Sequence, residues 1–187
     1  MDRDAAIALC RDRAEKETTV RHLISVEGVM RALARRFGED EDLWALTGLF
    51  HDLDQDQTQD DPERHAHLAA EWLREAGVDE RVVNGVLAHA HERYRTDLMS
   101  KAVVHADAVA GLLVAAALVR PEKAEGMKVS SVKKKLKEKA FAPGVNRDEV
   151  TSVEESIGLP LDEFIAVGIE GLQSVAPEIG LGRVGRL

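Results

Sequence analysis

The sequence predicts an all-α fold. Aromatic residues make up only 4% of the chain, β-branched residues come in short runs, and apolar residues recur every three or four positions along nearly the whole length. At 187 residues the chain has the size of one domain and can bury a core without disulfides. No repeat or low-complexity linker divides it. A single helical domain is expected over 1–187, with a helical C-terminal extension from about residue 121.

Leu23, Val26, Met30, Leu33 and Phe37 mark the apolar face of an amphipathic helix, and Gly38 supplies its stop. A second helix begins near Asp40, carries Leu43, Leu46, Thr47 and Phe50 on one face, and ends in the pair His51-Asp52. The polar stretch from Asp54 to Asp61 reads as a loop. Asp61-Pro62-Glu63 has the form of a helix start, with Asp as N-cap and Pro at the first helical position, and Gly77 marks the far end. Asp79 caps a helix reaching His91. The segment from Lys101 to Arg120 is the least polar of all and is stopped by Pro121. Beyond it come a lysine-rich helix, the loop Ala142-Pro143-Gly144-Val145, and a helix begun by Asn146 with Glu149 completing a capping-box-like pair. A last helix runs from about Leu161 to Val175.

Composition excludes several classes of protein. Hydrophobic residues at 44% and charged residues at 32% rule against disorder, because such a chain can offset its ordering entropy by burial. Cys10 is the sole cysteine, so neither an intramolecular disulfide nor a Cys-based zinc cluster can form, and a reducing cytoplasm is the expected location. Met1-Asp2-Arg3-Asp4 does not lead into the apolar run of a secretory signal. A net charge of −9 opposes general nucleic-acid binding. The run Lys133, Lys134, Lys135, Lys137 and Lys139 is the one basic patch, and such runs are ordinarily solvated faces. The apolar segment AVVHADAVAGLLVAAALV, about 18 residues, approaches the length of a membrane span. His105 and Asp107 within it point instead to a buried central helix, and no membrane partner is expected.

Asp107 is the most informative residue. An unpaired carboxylate among Ala, Val and Leu costs several kcal/mol in practice, so it requires a counter-charge, a proton or a metal. Adjacent residues on a helix point about 100° apart, so His51 and Asp52 can reach one ion only near a helix end, where the following loop places them. His22 lies on a stripe with Val26, Val29 and Leu33 that borders the main apolar face. Together, His22, His51, Asp52 and Asp107 offer two imidazoles and two carboxylates from three helices, a donor set for Mn, Fe, Co, Ni or Zn, with Mg at a carboxylate-rich position. His65 precedes Leu68, Ala69 and Trp72 at apolar spacing, and Val82, Val86 and His89 share a stripe, with His91 on a neighbouring one. These histidines would suit a second ion, with Asp52 bridging and either His89 or His91 as the ligand. His67 falls on the polar side.

The order His22, His51-Asp52, Asp107 resembles the H…HD…D pattern of the HD superfamily of metal-dependent phosphohydrolases. FHDLDQD, DPERHAHLAAEWL, VLAHAHE, HADAVAGLLVAAALVRPEK and SVKKKLKEKAFAPGVNRDEV resemble a family of small predicted HD hydrolases of about this length. Where many HD proteins have HDIG, this chain has His51-Asp52-Leu53-Asp54, an acid in place of glycine. The resemblance implies an HD-domain helical bundle and hydrolysis of a phosphate ester, a nucleotide among the candidates, by metal-activated water. Asp52, Asp54 and Asp56 are the candidate catalytic acids. Arg120, Lys123, Lys133, Lys134, Lys135 and Arg147 are candidates for holding substrate phosphate. The same ligands also occur in HD-fold di-iron oxygenases such as myo-inositol oxygenase, and a non-catalytic nucleotide sensor would retain them too.

Overall fold

The computed structural model describes residues 1–182, which contain helices and turns and no strand. The helices are α1 (Arg3–Arg13), α2 (Glu17–Phe37), α3 (Glu41–Phe50), α4 (Gln55–Thr58), α5 (His67–Glu75), α6 (Glu80–Ala90), α7 (Leu98–Leu118), α8 (Val129–Lys137), α9 (Arg147–Thr151), α10 (Val153–Ile157) and α11 (Leu161–Val175), with a 3-10 turn at Glu92–Tyr94. One apolar core joins them, from Ala6 on α1 to Leu181 beyond α11.

The long helices α2 and α7 form the centre. α2 packs on α3, α11 and α7, while α7 also meets α6, α8, α9 and α10. α7 is long and apolar enough to cross a membrane, yet 67% of its most apolar window is buried inside the protein, so its hydrophobicity is used in the core. The crossing of α2 and α11 depends on two glycines. A Cβ on Gly28 would lie 2.4 Å from the Gly171 carbonyl oxygen, and one on Gly171 would lie 2.5 Å from that of Gly28. Because both obstacles are backbone, Gly28→Ala must push the helices apart. The expected loss is about 1–3 kcal/mol, typical of core overpacking, and urea unfolding measures it; an unchanged midpoint would show that the helices are not locked at this crossing.

Several boundaries differ from expectation for identifiable reasons. α1 was not legible as a helix because only Ala6 and Cys10 on it are buried. It is anchored through Arg3, which donates to both oxygens of the nearly inaccessible Glu27 on α2 at 2.6 and 2.9 Å. The helix expected from Pro62 begins at His67, after a series of turns ending at Ala66, where φ is +64°. Part of the expected loop at 54–61 is the short α4. α7 begins at Leu98, before Lys101, because Asp97 and Ser100 form a capping box. Asn146 accepts from the Glu149 amide, and α11 spans the predicted residues.

Candidate metal centre

Six predicted side chains meet where α2, α3, α6 and α7 converge. His22 comes from the first half of α2, His51 from the C-cap of α3, Asp52 from the turn after it, His65 from the turns before α5, His89 from the end of α6 and Asp107 from the middle of α7. The His22 and His51 Nε2 atoms face each other at 3.2 Å. Asp107 Oδ1 lies 3.0 Å from His22 Nε2 and 3.6 Å from His51 Nε2. Asp52 divides its oxygens: Oδ2 is 3.8 Å from His22 and 3.6 Å from His51, while Oδ1 is 3.2 Å from His65 and 3.4 Å from His89. Asp107 Oδ2 also faces His89 Nε2, at 3.7 Å.

The ring orientations are set from behind. His51 Nδ1 is 2.8 Å from the Gly48 carbonyl, so Nδ1–H donates there and the Nε2 lone pair is turned to the cluster. His65 Nδ1 sits 3.0 Å from both Asp54 Oδ1 and Thr58 Oγ1, which leaves its Nε2 for the Asp52 side. The left-handed Ala66, a conformation costing alanine about 1–2 kcal/mol, separates His65 at the cluster from His67, which lies against Arg93 and His91 instead.

The electrostatics are those of buried carboxylates and imidazoles held close together. Burial alone would raise the Asp107 carboxyl, but hydrogen bonds from His22 and His51 hold it well below the carboxylate range. Burial likewise opposes the ionised form of Asp52, yet His51, His89 and His65 depress its pKa. His51, resisting the same desolvation, is raised to about 9 by Asp52 and Asp107. His65 is raised to about 9 by Asp52 and Asp54. Burial lowers His89 to about 4. Two groups of ligand atoms, one from His22, His51 and Asp107 and one from His51, Asp52 and His89, each lie within 4.8 Å of one another. Asp52 Oδ1 and His89 Nδ1 are buried without a hydrogen-bond partner. Facing imidazole lone pairs, paired carboxylates and an orphaned carboxylate oxygen fit divalent cations.

The remaining predicted residues are placed elsewhere. Asp54 is not a solvated loop acid: it is fully buried and accepts from the Ala69 amide at 2.9 Å while facing the outer nitrogen of His65. Asp56 is turned away from the cluster, accepting from the amides of Glu15 and Lys16 and from the Thr19 hydroxyl, and so ties the start of α2 to α4. His91 Nε2 is 2.9 Å from the His65 carbonyl, and its ring lies against His67, so it backs His65 and does not join the ligand atoms.

Four of the expected phosphate-binding cations, Arg120, Lys133, Lys135 and Arg147, have other partners. Arg120 donates to the carbonyls of Lys123 and Glu125. Lys123 sits at a positive-φ turn position. Lys133 pairs with Asp162, and Lys135 pairs with Glu138 over the Phe141 ring. Lys133 and Lys134 line a separate cavity with Asp162. Arg147 bonds to the carbonyls of Leu136, Glu138, Phe141, Ala142 and Val145.

The cluster opens on one side. His51 is 0% exposed, whereas His22 and Asp107 are 29% and 27% exposed and border a cavity of about 320 Å³ together with Ala108 and Gly111 of α7. Its opposite wall includes Asn146 and Glu149, which the sequence reading assigned only to helix capping. Burial and the nearby Asp107 raise the Glu149 pKa, with Arg95 opposing. Their spacing from the HD pair carried no signal that they reach it.

The helical bundle brings four histidines and two aspartates to one point, a His/Asp donor set that could hold a metal ion. The HD domain family profile matches residues 19–123, more than half the chain, and the chain belongs to the HD domain family. HD domains bind divalent metals, and the superfamily consists in general of metal-dependent phosphohydrolases. Among curated proteins the chain is similar to ribonuclease Y 2 of Levilactobacillus brevis, 30% identical over 90 residues covering 48% of this chain and 17% of the relative. It is similar to ribonuclease Y of Sulfurovum sp., 31% identical over 91 residues covering 49% and 18%. The chain thus spans less than a fifth of the length of these relatives. No solved structure gives a significant match.

Proposed function

We propose that this chain is a metal-dependent hydrolase of a small phosphate ester, with Mn, Fe, Co, Ni, Zn or Mg held by His22, His51, Asp52, His65, His89 and Asp107. The observation that carries the reading is the pair of Nε2 atoms of His22 and His51, turned towards each other at 3.2 Å between the carboxylates of Asp107 and Asp52. When bound, divalent cations would polarise the phosphoryl group and activate the water that attacks it. The residues supply the positioning. Gly48 and Asp54 fix the rings of His51 and His65, and Asp52, presenting one oxygen to each half of the cluster, would be the carboxylate able to serve two ions. Asp107 brings the second carboxylate from the rigid α7. With a net charge of −9, the protein is read as acting on a small phosphorylated molecule in the cytoplasm, without general nucleic-acid or membrane binding.

Anaerobic purification, elemental analysis and a panel of phosphomonoesters and phosphodiesters offered with Mn, Co or Fe test the reading. Release of phosphate or alcohol that stops on chelation is the expected result. Oxygen consumption by the iron form without ester cleavage would favour the oxygenase chemistry, and metal-dependent ligand binding without turnover would favour a sensor.

The two-ion arrangement makes a separate prediction. His65→Ala and His89→Ala should each remove about one metal equivalent and spare the other, because His22, His51 and Asp107 remain. His67→Ala should leave metal content unchanged. A single equivalent in the parent protein, retained in both cluster variants, would mean a mononuclear centre that His65 and His89 do not hold.

A further inference from the structure

The cavity beside His22 and Asp107 has a wall contributed by residues beyond the HD match, which ends at 123. That wall is the loop at Ala142, Gly144 and Val145 followed by the start of α9, where Asn146 and Glu149 face the cavity. Its backbone is firmly held. Arg147 gathers five carbonyls between Leu136 and Val145, and His105 of α7 donates from Nδ1 to the Glu149 carbonyl at 2.5 Å. A surface so pinned loses little freedom when a ligand docks.

We infer that this cavity receives the uncharged, hydroxylated part of a substrate bearing a single phosphate, with Glu149 as the residue that excludes a second one. This rests on the phosphohydrolase reading and narrows its substrate class. The phosphate would belong at the cluster, where cations held by His22, His51, Asp52 and Asp107 would offset its charge. The rest of the substrate then enters the cavity past the exposed edges of His22 and Asp107.

Charge and hydrogen bonding both select what fits there. Among the described residues, the lining includes the carboxylates of Glu149 and Asp107 and no lysine or arginine. Arg95, the cation that acts on Glu149, is occupied with the carbonyls of Ala88 and His89. A second phosphate in the cavity would therefore face the Glu149 carboxylate, while the Arg95 guanidinium is turned to backbone carbonyls, an arrangement that disfavours such ligands. Asn146 uses Oδ1 to accept from the Glu149 amide at 3.3 Å and keeps its amide donors, while the Glu149 carboxylate accepts. Hydroxyl groups, which both donate and accept, complement that pair. The volume of about 320 Å³ lies at the small end of ligand pockets, and Ala108, Gly111, Ala142, Gly144 and Val145 offer short apolar contacts between the polar ends.

The test measures equilibrium binding to the Mn²⁺-loaded full chain. The probes are a hydrolysis-resistant 5′-phosphonate analogue of adenosine monophosphate and the same compound carrying a 3′-phosphate. The parent protein should prefer the probe without the 3′-phosphate by at least about tenfold. Glu149→Gln should shrink that preference and Glu149→Lys should reverse it, with metal content and thermal midpoint unchanged. Equal binding of the two probes, binding of neither, or an unaltered preference in both variants overturns the inference. The parent comparison needs no variant and so stands even if a substitution unfolds the protein. Failure of the phosphohydrolase reading is seen separately, as absence of phosphate release from any ester by the same metal-loaded sample.

Discussion

Asp107→Ala is expected to abolish both binding of the tightest metal and hydrolysis. Asp107 is the cluster's carboxylate on the apolar helix α7. Its Oδ1 lies 3.0 Å from His22 and 3.6 Å from His51, and its Oδ2 faces His89. It therefore belongs to the group with His22 and His51 and faces His89 of the other, and its removal takes a donor from the first and a nearby negative charge from both. The loss in metal affinity should exceed the roughly 10–100-fold that follows removal of an outer hydrogen-bonding partner. Asp107→Asn keeps the shape but not the charge and should fail almost as completely, whereas a purely structural role would be rescued by the isostere. Calorimetric metal titration of the three proteins, with elemental analysis, decides the matter. Full metal occupancy and normal turnover in Asp107→Ala would show that the centre is not built on this residue.

The metal-free protein should lose stability as pH rises from about 6.5 to about 9, and the loaded protein should not. His51, shielded from solvent, is raised to about 9 in the folded protein from an unfolded value near 6.5. Its raised pKa means that the native state binds more protons in that window. The ion pairing is fully present below about pH 6.5 and is lost as pH passes the folded value. For His51 alone the change is on the order of 3 kcal/mol. His65, also raised to about 9, acts in the same direction, but both histidines share Asp52, so their effects do not add. On the acid side the sign reverses. His89, lowered from 6.5 to about 4, binds fewer protons folded than unfolded, so stability falls again as pH drops below 6.5, and the depressed Asp52 and Asp107 add to the loss only once pH approaches about 4. The chelated protein should thus be most stable near pH 6.5. Metal binds neutral histidine, so protons and cations compete, and the stability gained on loading should widen with rising pH. Urea unfolding with and without chelator across this range measures both curves. A flat curve for the chelated protein would mean that His51 and His65 are not charged partners of the aspartates.

Much of the architecture was legible in the residues because it depends on local periodicity. The spacing of Leu23 to Phe37, the cap at Asp79, the start at Asn146 and the span of α11 all follow from side chains within one helix of each other. α1 escaped because its polar composition hides a helix whose anchor, the pairing of Arg3 with Glu27, spans 24 positions. The start of α5 was misplaced because Asp61-Pro62 satisfies the local rules for a helix start, while Ala66 is held in a left-handed turn.

At the metal centre the division is similar. Residue type and helical face were enough to nominate His22, His51, Asp52, His65, His89 and Asp107, since an acid in an apolar helix and histidines on inward stripes each require a partner. That their ligand atoms converge, that Asp52 turns one oxygen to each side, and that His89 rather than His91 joins them were decided by the tertiary structure. The roles of Asp54 and Asp56 were decided there too, as were the carbonyl partners of Arg147 and the placement of Glu149 across the cavity from His22. The physical reason is the range of the forces involved. Helix formation and burial are governed by neighbours within a few turns, whereas a charged side chain takes the nearest complementary group in space, and that group lies wherever the packing of α2, α7 and α9 brings it.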